Sequence, residues 1–256
     1  MSNYRLEVGT ISRGKGRSVT RLANYITGQR LHDSYNGKTY YKQRNDVRYC
    51  RIFQPINAPP DFYDLQHLCD RIEAAEIRYD ARTAREFKGS LPNELSLCQL
   101  AHIVCDFVEH NFVNQGLCAI AAIHEGKNET DPSRNNPHVH IIVPTRTVGP
   151  DGFSKKKDRE HDRREYITIW RKQWALVQNQ AYERNGLDIR VSHESLKVQG
   201  VYDREPTVYL SRIDWQKEQR GERTHAGDKR RTVEKRNQER KRQKNLERYL
   251  DFDLSR

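Results

Sequence analysis

Two histidines one residue apart carry the strongest chemical signal in this sequence. In Asn136-Pro137-His138-Val139-His140-Ile141-Ile142-Val143, extended backbone sends alternate side chains to opposite faces. His138 and His140 therefore project together, while Val139, Ile141 and Val143 face the other way. A third histidine, His124, ends the apolar run from Leu117 and joins the pair if the two segments are neighbouring strands. Neutral imidazoles converging from rigid strands make a site for one divalent metal ion. The HxHxDH pattern of dinuclear hydrolases is absent, because Ile142 and Val143 follow.

The elements that position these residues can be read from apolar spacing. Tyr4, Leu6 and Val8 alternate with polar residues as in a half-buried strand running to Ile11. After the loop Arg13-Gly14-Lys15-Gly16-Arg17, Ser18 serves as N-cap of a helix through Leu22, Tyr25 and Ile26 that stops at Gly28. Residues 33–60 read as long loops with a short strand at Tyr49 to Phe53. Helical spacing follows from Asp61 to Ile72, then an extended piece from Arg82 to Leu91, then a helix from Ser96 to Asn111. The segments Leu117 to His124 and His138 to Val143 read as paired strands joined by a polar loop.

Beyond a basic loop at Lys155 to Lys157, a helix from Glu165 turns Ile169, Trp170, Trp174, Val177 and Ala181 to one side and ends at Asn185-Gly186. That spacing makes Trp170 and Trp174 core residues and leaves Trp215 as a candidate for stacking on bases. A short helix is expected over Glu194 to Gln199. Residues 221–248 hold an Arg, Lys, Glu and Gln tract without an apolar stripe, as in a solvated helix or a disordered arm.

Composition narrows the class of partner. Lys and Arg number 46 against 35 Asp and Glu, a net charge of +11, which suits a polyanion. Hydrophobic residues at 35% suffice for a folded body with a polar extension, but not for two full domains in 256 residues. The five cysteines show no CxxC pairing and read as reduced core residues of a cytosolic protein. No apolar run approaches the roughly 20 residues of a membrane span, and the N-terminus carries no secretory signal pattern.

Four segments, in this order, resemble the plasmid mobilisation relaxases of the MobA/MobL type, which belong to the HUH endonucleases. They are Ser18 to Gly28 around Tyr25; Arg85-Glu86 ahead of Leu91-Pro92-Asn93-Glu94-Leu95; His124 with Asn136-Pro137-His138-Val139-His140; and Ser192 to Gly200. The resemblance extends over about residues 3–212. It implies an α+β fold, an antiparallel β-sheet with helices packed on it, with the three histidines on central strands and the tyrosine helix over the metal. Residues 1–212 would then be the nicking domain and residues 213–256 a basic helical or partly disordered tail. It further implies a bacterial, cytoplasmic protein acting on single-stranded DNA at an origin of transfer, with accessory and coupling proteins of a conjugation system as partners.

On this reading Tyr25 is the nucleophile and Glu86 a general base or an orienting residue. A tyrosine hydroxyl, with a pKa near 10, needs such help. The metal, Mg or Mn first and Zn or others next, is held by His124, His138 and His140. The product is a 5′-phosphotyrosyl bond with a free 3′-hydroxyl, and the strand can later be rejoined. Arg13, Lys15, Arg17, Arg21, Arg85, Lys155, Lys156 and Lys157 are candidates to neutralise DNA phosphates. Three other readings make different predictions. In a rolling-circle initiator or transposase of the HUH class, the tyrosine usually follows the histidine motif. A non-enzymatic metal-containing DNA-binding protein gives binding without a covalent product, and a nuclease using water cleaves without Tyr25.

Overall fold

Alternating apolar residues at the N-terminus form β1 (Leu6–Ser12), and the chain then doubles back as α1 (Val19–Thr27). The computed structural model describes residues 4–129, 131, 132 and 135–254, and the chain forms two compact units, one ending at His193 and the other beginning at Glu194. In the first unit a small hairpin, β2 (Leu31–Asp33) and β3 (Lys38–Tyr40), leads to β4 (Val47–Phe53). Next come α2 (Leu65–Ala74), β5 (Arg82–Ser90), α3 (Leu97–Asn111), β6 (Ala119–His124) and β7 (His138–Pro144). A two-residue ladder, β8 (Val148–Gly149) with β9 (Gly152–Phe153), precedes α4 (Glu165–Arg184).

Five strands form one antiparallel sheet in the order β1-β5-β7-β6-β4. The histidine-bearing strands β6 and β7 are paired, as the sequence leads one to expect, and they lie inside the sheet with His124 directly opposite His138. Strand alternation divides the core in two. Phe87, Ala121, Ile123, Val139, Ile141 and Val143 pack against α3 and α4 through Val104, Phe107, Trp170 and Trp174. On the opposite face Ala84, Ile120, Ala122 and Ile142 pack against α1 and α2 through Val19, Ala23, Ile26, Leu68 and Ile72. The histidines share this second face, so α1 is the helix laid over them.

Several local expectations are revised. The stretch 33–60 contains the β2–β3 hairpin and a β4 two residues longer at its start than expected. Ile169 is exposed, because the buried seam of α4 runs through Trp170, Trp174, Val177 and Ala181, and residue 169 lies one helical step off it. Cys50 and Cys98 are exposed, whereas Cys69 and Cys118 are buried.

The second unit contains α5 (Arg212–Gln219) and α6 (His225–Leu254). Residues 194–199 form a turn closed by Gln199 N–H to the Ser195 carbonyl at 3.1 Å, not a helix. So short a segment without an apolar face cannot offset the cost of helix nucleation. Polar contacts tie the unit together. Glu205 pairs with Arg236 and Arg240, and Asp203 pairs with Lys244. Of the described residues of α6, only Val233 is a buried hydrophobic.

Candidate active site

The helix carrying Tyr25 is fixed at both ends by residues from elsewhere in the chain. At its N-terminus Ser18 Oγ accepts from Arg21 N–H at 3.0 Å, and the Glu73 carboxylate accepts from Val19 N–H at 2.8 Å. These contacts satisfy donors that have no partner within a helix. At its C-terminus Gly28, at φ +72°, supplies the left-handed cap and donates to the Asn24 carbonyl. The next two carbonyls are taken by side chains. Arg44 Nη1 donates to Tyr25 O at 3.3 Å, and His124 Nε2 donates to Ile26 O at 2.8 Å.

One ring nitrogen from each of His124, His138 and His140 lies within 4.8 Å of the others. Their ring centroids are 4.9 to 5.3 Å apart. The protons of two rings follow from their partners. His138 Nδ1 faces the Asn136 carbonyl at 2.8 Å, which leaves Nε2 with the lone pair. Because His124 donates from Nε2, its lone pair is on Nδ1, a buried atom with no hydrogen-bond partner. An orphaned imidazole nitrogen aimed into a cluster of two others fits a metal ligand, since a buried polar atom without a partner is otherwise costly.

Burial also favours the neutral form of His124 and His138. Together with the charges of His140, Arg44 and His138, it outweighs the Ile26 hydrogen bond and pushes His124 from 6.5 down to about 4. Burial likewise lowers His138, against the pull of the Asn136 carbonyl. The half-buried Tyr25 ring stands edge-on to the cluster, 5.9 Å from the His140 ring at 84° and 6.3 Å from that of His124 at 67°.

Glu86 is on β5, on the same face, with Oε1 3.7 Å from His140 Nδ1 and ion pairs to Arg17 and Lys88. Burial would raise its pKa, but the His140 and Arg17 contacts and the Lys88 charge bring it down to about 2. A carboxylate held that strongly ionised is a poor proton acceptor near neutral pH. Its Oε1 is beyond hydrogen-bonding distance of His140 Nδ1, a buried atom without a partner, so it stands beside that ring as a fixed negative charge.

The eight cations expected at a DNA backbone separate into groups. Arg13 is buried in a pair with Glu73, and Arg85 is buried against Asp158 and Asp162 on the sheet face opposite Glu86. Neither is available to a phosphate. Lys157 is tied to Glu76 at 2.9 Å and to the Arg82 carbonyl. Arg17 is bound to the Thr10 carbonyl and to Glu86. Lys15, Arg21, Lys155 and Lys156 are exposed. Lys155 to Lys157 lie beyond the end of β7 remote from His138, so strand rise puts them roughly 15 Å or more from the histidines.

The sequence reading missed Arg44 and Lys42, which border Tyr25, and Asp46, which pairs with Arg44. Arg44 Cζ is 4.5 Å and Lys42 Nζ 5.3 Å from the centroid of its ring. They occur in a stretch read as loop, with no periodic pattern to mark them.

A tyrosine helix over three histidines on the central strands of an antiparallel sheet is the relaxase fold. A chain solved in work on the molecular basis of vancomycin resistance transfer in Staphylococcus aureus matches with a TM-score of 0.69 at 26% identity, covering 76% of this chain and 100% of that one. A conjugative relaxase, TrwC, solved metal-bound with oriT DNA, shares the fold with a TM-score of 0.50 at 12% identity, covering 92% and 98% of the two chains. Within that class the chain belongs to the MobA/MobL family, which it matches over residues 17–220.

Its relatives include a probable mobilization protein MobA of Bifidobacterium longum, 34% identical over 62% of this chain and 28% of that protein. The conjugal transfer protein TraA of Agrobacterium fabrum is 28% identical over 78% of this chain and 20% of its own length. The mobilization protein MobL of Acidithiobacillus ferridurans is 29% identical over 82% and 62%. The chain thus spans less than a third of the first two.

Proposed function

We propose that this chain is the nicking module of a plasmid mobilisation relaxase, which cuts one DNA strand at an origin of transfer and keeps the cut end on Tyr25. The observation that carries this reading is Tyr25 standing edge-on over three converging imidazoles, 5.9 Å from the His140 ring.

In the step we assign to the site, Tyr25 Oη bonds to the scissile phosphorus as the bond from phosphorus to the 3′ oxygen breaks. One proton leaves Oη and one arrives at the 3′ oxygen. A 5′-phosphotyrosyl bond replaces a phosphodiester, so the exchange is nearly balanced in energy and the strand can be rejoined by its reverse. His124, His138 and His140 would hold a divalent metal, which would supply positive charge to the scissile phosphate. Three nitrogen donors favour Mn, Zn or a similar transition ion over Mg, which prefers oxygen ligands. Glu86 stands beside His140 as a fixed negative charge, and the fixed ends of α1 hold Tyr25.

Exposed Lys15 and Arg21 supply phosphate contacts beside the tyrosine helix, while Lys155 and Lys156 reach only DNA that continues along the sheet. We assign the nicking activity to residues 1–212 and treat residues 213–256 as a basic extension. The partners of this reading are single-stranded origin DNA and the accessory and coupling proteins of a conjugation system, in a bacterial cytoplasm. Among the described residues no helix is long and apolar enough to cross a membrane.

The test is a denaturing gel of labelled single-stranded origin DNA incubated with Mn and the protein, its Tyr25→Phe variant or its His138→Ala variant. A covalent adduct formed by the unmodified chain alone supports the assignment. Cleavage that persists in Tyr25→Phe points instead to water as nucleophile, and binding without cleavage points to a DNA-binding protein.

A further inference from the structure

Arg44 is the most firmly held charged group next to Tyr25. Its Nε donates to Asp46 Oδ1 at 2.8 Å, and Nη2 pairs with the other carboxylate oxygen. Such a two-point contact fixes the plane of a guanidinium as no single contact does. Asp46 is anchored in turn, because its backbone carbonyl accepts from Glu125 N–H at 2.8 Å, immediately after His124 in the chain. The position of Arg44 is therefore keyed to the strand that carries a histidine of the cluster.

From that anchor Arg44 reaches Tyr25 twice. Nη1 donates to the Tyr25 carbonyl at 3.3 Å, and Cζ lies 4.5 Å from the centroid of the Tyr25 ring. The side chain is only 13% exposed. Gly28 lies beside it: a Cβ added there would meet Arg44 Cβ at 3.4 Å, an ordinary van der Waals distance. The C-terminal end of α1, where the helix dipole is negative, also favours a cation at this point.

Resting on the reading of Tyr25 as nucleophile, we propose that Arg44, held by Asp46, is a positioning residue that fixes the Tyr25 ring and keeps a positive charge beside it as charge develops on the phenolic oxygen. A cation over the ring attracts its π face and stabilises a phenolate more than a phenol. Nicking and rejoining pass through the same transition state, so Arg44 accelerates both equally and leaves the fraction nicked at equilibrium unchanged. The hydrogen bond that Arg44 gives to Asp46, opposed by burial and aided by the Tyr25 phenol, raises the pKa of Arg44 above its ordinary value, so it stays charged at every working pH.

The test compares Arg44→Gln and Arg44→Lys with the unmodified protein and with Arg48→Gln as a control. The expected result for Arg44→Gln is a fall of about 10–100-fold in the rates of both nicking and rejoining. Affinity for the DNA, measured by fluorescence anisotropy without metal, should stay within about twofold. Arg44→Lys, which keeps the charge without the fork, recovers part of the rate. With 3-fluorotyrosine at position 25 and no metal, the 19F resonance should move in Arg44→Gln and stay in Arg48→Gln.

Three results overturn the proposal: unchanged rates, a loss of DNA affinity as large as the loss of rate, or an unmoved 19F resonance. An adduct that survives Tyr25→Phe removes the nucleophile assignment and the proposal with it. An adduct that requires Tyr25 but forms at full rate in Arg44→Gln removes the proposal alone.

Discussion

His124 donates from Nε2 to the carbonyl oxygen of Ile26 across 2.8 Å, so a histidine of the cluster also closes the last turn of the helix that carries Tyr25. The histidine cluster and the tyrosine helix are joined through one imidazole. His124→Ala should therefore do two things at once. It should lower metal affinity by more than roughly 100-fold, beyond the usual effect of losing an outer-shell partner. It should also lower stability by about 1–3 kcal/mol, because the Ile26 carbonyl loses its donor. Calorimetric metal titration and urea unfolding measure the two effects. Unaltered metal binding would show that His124 is not a ligand.

The acid sensitivity of the metal-free protein follows from the same residue. Its folded pKa, about 4, lies below its ordinary 6.5. The neutral ring thus contributes stability that is complete above pH 6.5 and is lost as pH falls through 4. The loss for this group is on the order of 3 kcal/mol. Thermal melting in a chelator should fall between pH 6.5 and 4. Saturating Mn should raise the melting temperature throughout and move the decline to lower pH, since metal and proton compete for the ring. A flat melting profile in chelator over that window is the contrary outcome.

Glu86→Gln removes a charge while keeping shape, and it frees Arg17 and Lys88 from their shared partner. Metal affinity should fall about 10–100-fold, as for other residues just outside a metal's ligands. The pH profile of nicking between 5 and 8 should keep its midpoints, because the Glu86 carboxyl is held at about 2. Its own contribution to stability is complete above its ordinary 4.5 and is lost only as pH falls toward 2. A midpoint that disappears in the variant would restore Glu86 as the general base.

Gly89 lies beneath the buried Trp174 ring, where an added Cβ would be 2.6 Å from Cζ2 and 2.8 Å from Cε2. Gly89→Ala should therefore destabilise the sheet by about 1–3 kcal/mol, the usual cost of overpacking. Urea unfolding measures this directly, and a shift of the Trp fluorescence maximum should accompany it. A variant as stable as its parent would mean that Trp174 can move aside at no cost.

Much of the site was legible in the sequence because its signals are local. The alternation around His138 and His140 places them on one face, and Ser18 with Gly28 delimits the helix around Tyr25 at the ends the structure gives. Trp170 and Trp174 proved to be core by their spacing. What could not be read depends on contacts distant in sequence. Arg13 and Arg85 resemble surface cations until Glu73, Asp158 and Asp162 are brought against them. Arg44 and Asp46 occur in a stretch without periodicity, and only the pairing of β4 with β6 carries them to Tyr25. The turn at 194–199 failed as a helix because a favourable local composition had no apolar face to pack.

The order β1-β5-β7-β6-β4 has a consequence for how the chain is born. Strands made early flank a central hairpin made late, so the sheet is dominated by pairings between residues far apart in sequence, and such topologies fold slowly. Tyr25 leaves the ribosome more than 100 residues ahead of His140, an interval of roughly 5–25 seconds at ordinary synthesis rates. During that interval the nascent chain displays its tyrosine with no histidine cluster beneath it. The histidine cluster forms only once β6 and β7 pair, so the candidate site is completed after the helix that carries its tyrosine has been made.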